Sequence, residues 1–229
     1  MERSRRWMIA SAAFSLIVLI LFTTMMDEHY MLLSFILVIA VLIPFFMRFE
    51  RRKMETRELV LLAVLTAVAA VSRIPFAALP NVKPVSAIVI LSGLVFGGEA
   101  GFIVGAMSAL VSNLYFGQGP WTPWQMFAWG MMGLTAGMLR RTWWMNKKPA
   151  LLAFGFIWGF LFGWIMNLWV VVDTAAAGNW HSVVLVYIQS FYFDLAHALS
   201  NVVFLAILAG GWIKVLKRFR KKYGLLDRK

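Results

Sequence analysis

The run RFERRKMETRE, Arg48 to Glu58, packs five basic and three acidic residues between the apolar stretches VLIPFFM and LVLLAVL. Charges are expensive in hydrocarbon, so a segment this charged between neighbours this apolar marks where a chain leaves a bilayer and re-enters it. It also divides two kinds of sequence. Before it lie two simple apolar runs whose polar residues are Ser and Thr, side chains that can bond to their own helix backbone. After it lie six apolar runs much richer in Gly, Pro and polar residues.

The composition agrees. With 62% hydrophobic residues, 14% charged and a mean hydropathy of +0.78, the chain is too apolar for one soluble core of 229 residues. It reads as an all-α integral membrane protein. Measured against the roughly 20 residues that cross a bilayer as helix, eight spans are predicted: 7–26, 30–47, 58–72, 84–97, 99–113, 123–139, 151–172 and 183–213. The fourth and fifth are short and joined by Gly97-Gly98-Glu99-Ala100-Gly101, so a re-entrant hairpin is the alternative there. The eighth is long enough to tilt, or to end near Gly210-Gly211. The organisation is residues 1–54, a transmembrane hairpin with its charged linker; 55–215, a six-helix working unit; and 216–229, a basic tail.

Charge sets the orientation. Of the 22 Lys and Arg residues, all but Arg73 and Lys83 fall on one side once the N-terminus is placed inside, as the positive-inside rule requires. A multi-pass protein of the cell membrane with both termini cytoplasmic is expected, its basic residues facing anionic lipid heads. The net charge of +12 is therefore a topology signal, and no nucleic-acid module accompanies it. The first apolar run exceeds a usual signal-peptide core and ends FTTMMDEH, without a small-residue cleavage site, so it reads as an anchor.

Within the working unit, LVLLAVLTAVAAVSR places Ala63 and Ala67 four residues apart with Thr66 and Ala70 beside them, a small-residue face that lets a second helix approach closely. Internal packing is the plain alternative. SRIPFAALPNVKP, Ser72 to Pro84, follows as an outside loop with three prolines. Pro75 and Pro80 are expected to keep their preceding residues extended, and Pro84 to open a helix. This reads as a structured cap, or else as an ordinary turn with Arg73 snorkelling to lipid heads.

LYFGQGPWTPWQM, Leu114 to Met126, combines turn residues at Gly117–Pro120 with a helix start in which Thr122 caps and Gln125 reaches back. Tyr115, Trp121 and Trp124 suit an interfacial aromatic belt. Asn113 and Gln118 remain as amides beside an aromatic wall. In the eighth span, Ser190, Asp194, His197 and Asn201 share one helical face. A carboxylate and an imidazole inside a membrane mark a pathway, relay or ligand site by default, or brace neighbouring helices. Asp194 and His197, one turn apart, are placed to pair. Nearer the outside lie Asn179, Trp180, Tyr187 and Gln189.

Absences narrow the function. The chain has no phosphate-binding G-x-x-x-x-G-K-[ST] loop, no H-E-x-x-H, no G-x-S-x-G and no cysteine. Neither a cofactor nor a metal is expected, and any ATP-driven step must be powered by another subunit.

Residues 55 to about 215 resemble the substrate-binding S components of energy-coupling factor (ECF) vitamin transporters. The resemblance rests on RELVLLAVLTAVAAVSR, the Pro-bearing outside loop, VFGGEAGFIVGAMSALVSN and, most specifically, FGQGPWTPWQMFAWGMMGLTAG. The N-terminal hairpin departs from the usual six-helix members. The resemblance implies capture of a vitamin from outside, with the first outside loop as lid. It also implies assembly through Ala63 and Ala67 with a coupling transmembrane T subunit and two cytoplasmic ATPases. FGQGPWTPWQM looks most like cobalamin-associated members, while the same groups would accept riboflavin or a pterin. The expected ligand contacts are Asn113, Gln118, Trp121, Trp124, Asn179, Trp180, Tyr187 and Gln189, with Asp194 and His197 at the cavity floor or bracing it. The rival readings are an intramembrane enzyme using Asp194 and His197 as acid and base, and a scaffolding protein without a small ligand.

Overall fold

The computed structural model describes residue 17 and residues 55–119, 121–176 and 179–223, the side chains of 172–176 excepted. Apart from Ile17, the expected N-terminal hairpin, the linker up to residue 54, Pro120 and the tail from 224 lie outside the described residues, as does the side chain of Asp173. Among the described residues there are six α-helices, one 3-10 turn and no strand. The helices are α1, Thr56–Val71; α2, Val85–Phe96; α3, Gly98–Phe116; α4, Trp121–Leu139; α5, Lys148–Ala176; and α6, Trp180–Tyr223; the 3-10 turn, Ile74–Phe76, follows α1. Each helix falls on one of the six spans expected after the charged linker.

The count of eight membrane spans does not carry over. By length and composition, four described segments are long and apolar enough to cross a membrane: Thr56–Phe76, Gly98–Phe116, Lys148–Val171 and Trp180–Tyr223. At 12 residues, α2 rises only about 18 Å against a hydrocarbon core of about 30 Å. It compensates by enclosure, since every residue but Leu94 is buried among α3, α4 and α6. The bundle is built around this short central helix.

Local sequence explains the joints. Glu55 and Glu58 form a capping box that starts α1. Gly97, at φ 105°, turns α2 directly into α3, a conformation that glycine alone adopts without strain. Glycine also sets the closest approaches. A Cβ at Gly101 would run into the Gly133 carbonyl, and a Cβ at Gly159 would run into the Ala198 backbone. Gly155, Gly159 and Gly163 recur every four residues along α5 and meet Leu205, Ala198 and Asp194 of α6. This is the small-residue packing of membrane helices, and it joins α5 to α6 along much of their length.

At 44 residues, α6 extends about 66 Å and projects well beyond a single bilayer crossing. It does not end at Gly210-Gly211: two interior glycines cost about 1 kcal/mol each, too little to stop a helix packed on both sides of them. The first part of the basic tail is therefore helical, closing with Arg220, Lys221 and Lys222 in its last turn.

α1 has two distinct faces. Leu62, Leu65, Thr66, Ala69 and Ala70 are buried against the bundle, whereas Ala63 and Ala67 are exposed among Val60, Val64, Val68 and Val71, also exposed. Thr66 and Ala70 thus belong to the inner face rather than beside the alanine pair. The pair is not used for packing within the described bundle.

Candidate functional site

The end of the bundle opposite the basic tail gathers six connected polar side chains. Arg73, which follows α1, turns inward and is only 8% exposed, instead of snorkelling. Its guanidinium donates to the Ser112 hydroxyl and, at 3.0 Å, to the Asn113 Oδ1. The same group lies 4.5 Å above the Phe116 ring and 5.1 Å from Trp129, within cation–π range. Its Nε is buried without an acceptor among the described residues, an arrangement that is costly unless something completes it.

Asn113, 1% exposed, relays this network. Its Nδ2 donates to Thr122 Oγ1 at 3.1 Å and Gln125 Oε1 at 2.7 Å. The Thr122 hydroxyl donates to Gln118 Oε1 at 3.0 Å and accepts the Gly119 N–H at 3.2 Å, while Gln118 Nε2 donates to the Leu110 carbonyl at 2.9 Å. The expected capping box is therefore replaced. α4 already starts at Trp121, and the Thr122 and Gln125 side chains cross to α3 because Asn113 offers both a donor. Trp124 is buried in the core, while Trp121 is partly exposed with its ring 6.2 Å from Trp169.

A second network runs through the bundle centre. Trp129 Nε1 donates to Ser86 Oγ at 3.1 Å, and Ser86 Oγ lies 2.8 Å from His197 Nε2. His197 meets Phe162 edge to face at 4.6 Å, and Phe162 lies 5.1 Å from Trp129. The Lys83 ammonium sits 5.9 Å from the Phe162 ring. Burial pushes its pKa down to about 8, helped by the positive charge of Arg73. Neither cation forms an ion pair with a described residue.

The loop between these cations is a structured cap. Pro75 stands in the 3-10 turn, so Ile74 before it is helical rather than extended; the ring's fixed φ suits a helix start. Pro84 is the N-cap of α2. Phe76 packs edge-on against Phe204 at 5.1 Å, Asn81, at φ 56°, donates to the Phe193 carbonyl at 3.1 Å, and the Lys83 N–H donates to Ser200 Oγ at 2.9 Å. The loop is thereby fastened to α6.

The α6 stripe does share an inward face: Asp194, His197 and Asn201 are buried. Asp194 and His197 do not pair, because they face different helices. Asp194 abuts Gly163 of α5 and accepts from Ser190 at 3.1 Å, whereas His197 faces Ser86 of α2. Asn201 donates to the Gly155 carbonyl at 2.9 Å. Tyr187 donates to the Trp164 carbonyl at 3.3 Å. Asn179 caps α6 through the Ser182 N–H at 3.3 Å, and Trp180 and Gln189 are exposed. Of the residues expected to line a site, Asn113 and Gln118 join the Arg73 network and His197 joins the Lys83 side; Asn179, Trp180 and Gln189 stand on the open surface of α6. Among the described residues no group of His, Asp and Glu is placed to hold a metal.

Residues 53–218 match the family model of the ECF-type riboflavin transporter, S component. The chain belongs to this S component family. No curated protein and no solved structure matches it. The S component is thus part of a vitamin transporter and not an enzyme, and such components associate with T and ATPase subunits. Reasoning from sequence did not reach Ser86, Trp129 or Phe162. Trp129 carried a faint signal, a tryptophan in mid-span instead of at an interface, whereas Phe162 carried none among the many phenylalanines of α5.

Proposed function

We propose that the chain is the substrate-capturing S component of an ATP-driven transporter, taking up from outside a vitamin that combines a flat conjugated ring with carbonyl or amide acceptors. One observation supports this most: the buried Arg73 guanidinium, lying on two aromatic rings with an Nε that lacks an acceptor. A protein tolerates such a group when a ligand completes it. Lys83 supplies a second donor from the capping loop, which then acts as the lid. In this reading the vitamin lies beneath that loop, with Gln118 and Trp121 at its edge, Trp124 behind them in the core, Tyr187 toward the outside and Asp194 and His197 bracing the floor, while the exposed Asn179, Trp180 and Gln189 are reached only from the outer surface.

Two vitamins each have a specific observation in their favour. Riboflavin gives the matched family its name. Cobalamin is favoured by the resemblance of FGQGPWTPWQM, although several of those residues are already engaged in bonds within the protein. Both offer a conjugated ring and hydrogen-bond acceptors.

The remaining elements of the reading concern assembly and orientation. The placement of both termini on the cytoplasmic side, with a separate N-terminal segment before the six-helix unit, follows from the charge distribution, and the exposed Ala63 and Ala67 are the contact for the T subunit. Uptake into vesicles holding this protein tests the transport reading. Accumulation that requires the T subunit, both ATPases and ATP is expected; chemical conversion of the vitamin by the S component alone would overturn it.

A further inference from the structure

The opposite, basic end of the bundle holds a cavity of about 560 Å³ between the end of α2, the α4–α5 connection, the start of α5 and the last third of α6. Its lining is divided by chemistry. Arg140, Arg141, Lys148, Lys214, Lys217 and Arg220 supply positive charge, and no lining residue is acidic. The rest includes apolar Leu94, Met145, Leu151, Ile207 and Ile213.

Two of the cations are fixed by the fold. Arg140 and Arg220 both reach the Val95 carbonyl at the end of α2, at 3.5 Å and 3.0 Å, where the helix dipole favours positive charge. They anchor one wall. Lys148, Lys214 and Lys217 form no ion pair with a described residue, and the first turn of α5 adds the positive end of its own dipole.

The cavity also opens onto a ridge suited to hydrocarbon. Leu199, Val203 and Ile207 follow at four-residue steps on α6 and are exposed, Ile207 at 69%. Three residues after Ile207, on the adjoining turn, Gly210 lines the cavity and has open space where a side chain would stand. An occupant that is anionic at one end and apolar at the other matches this order.

We infer that this cavity is a binding site for the phosphate headgroup of an anionic phospholipid, with an acyl chain lying along Leu199, Val203 and Ile207. The cationic wall recognises the phosphodiester, and the missing side chain at Gly210 leaves a passage from headgroup to chain. This goes beyond a general attraction of basic residues to a charged leaflet, because it requires this cavity and this ridge. The bound lipid would tie the α4–α5 connection to α6.

The test uses the purified full-length protein and a quadruple variant, Arg141→Gln, Lys148→Gln, Lys214→Gln and Lys217→Gln, which leaves the Val95 braces in place. Native mass spectrometry measures retention of phosphatidylglycerol against phosphatidylcholine, with inorganic phosphate as a separate competitor. A second variant, Gly210→Leu, blocks the passage without altering charge. Wild type is expected to retain phosphatidylglycerol selectively, each removed charge lowering retention roughly fivefold, and Gly210→Leu to lower it with melting behaviour unchanged. Equal retention of both lipids, retention unaffected by either variant, or displacement by millimolar phosphate alone would overturn the proposal, the last by showing a site for a soluble anion.

Discussion

Arg73 and Lys83 are the only basic residues of the chain outside its cytoplasmic-type clusters, and both turn into the protein. A buried guanidinium with an unmet donor is a liability in the empty protein and an asset in the loaded one. Arg73→Gln should therefore weaken vitamin binding by about tenfold or more, the cost of one charge-assisted bond, while leaving the melting temperature equal or higher. Loss of folding instead would assign Arg73 a structural role. Lys83 gives a pH-dependent counterpart. Its pKa in the folded protein, about 8, is below that of an unfolded lysine, about 10.4, so the folded state opposes its protonation. The resulting penalty is fully present below pH 8 and disappears as pH rises toward the unfolded value. Lys83→Met should raise the melting temperature at pH 7, and a thermal scan series should show the difference closing between pH 8 and 10. A difference constant across that window would show that Lys83 is not held against its charge.

At the scale of the element, the helices were legible in the sequence because lipid leaves a long apolar run little choice but helix. LVLLAVLTAVAAVSR and the runs after it have no other way to satisfy their backbone. What sequence could not give was which side of each helix faces inward. Ala63, Thr66, Ala67 and Ala70 look equivalent as small residues, yet packing on the bundle turned Thr66 and Ala70 inward and Ala63 and Ala67 outward. Gly210-Gly211 looked like an end and was not, since the local cost of glycine is small beside the packing of a 44-residue helix. The outward alanines predict that Ala63→Trp with Ala67→Trp leaves vitamin binding intact and abolishes co-purification with the T subunit; normal co-purification would remove this face from the interface. The glycine face of α5 predicts the reverse pattern. Gly159→Val should destabilise the protein by about 1–3 kcal/mol, read as a loss in the denaturation midpoint, because its side chain enters the Ala198 backbone.

Over the whole molecule, the polar residues separate into two ends with different tasks. One end encloses Arg73 and Lys83 beneath a loop pinned to α6; the other carries the cationic cavity and the basic end of α6. Between them, Ser86, Trp129 and His197 link the central helix α2 to α4 and α6, placing the His197 imidazole in a packed network rather than beside Asp194. The candidate site was only partly legible because it depends on side chains from four separate elements. Asn113 and Gln118 declared themselves as amides in an aromatic context, but their partners, Arg73 and Thr122, are fixed only by how α1, α3 and α4 pack.

The most direct measurement is isothermal titration of purified, folded protein with riboflavin, cobalamin and a panel of other vitamins, in the absence of the T subunit and ATPases. Submicromolar binding of one vitamin by wild type, weakened about tenfold by Arg73→Gln, is the predicted result. Failure of every vitamin to bind, with the protein intact, would contradict the capture of a vitamin by this chain.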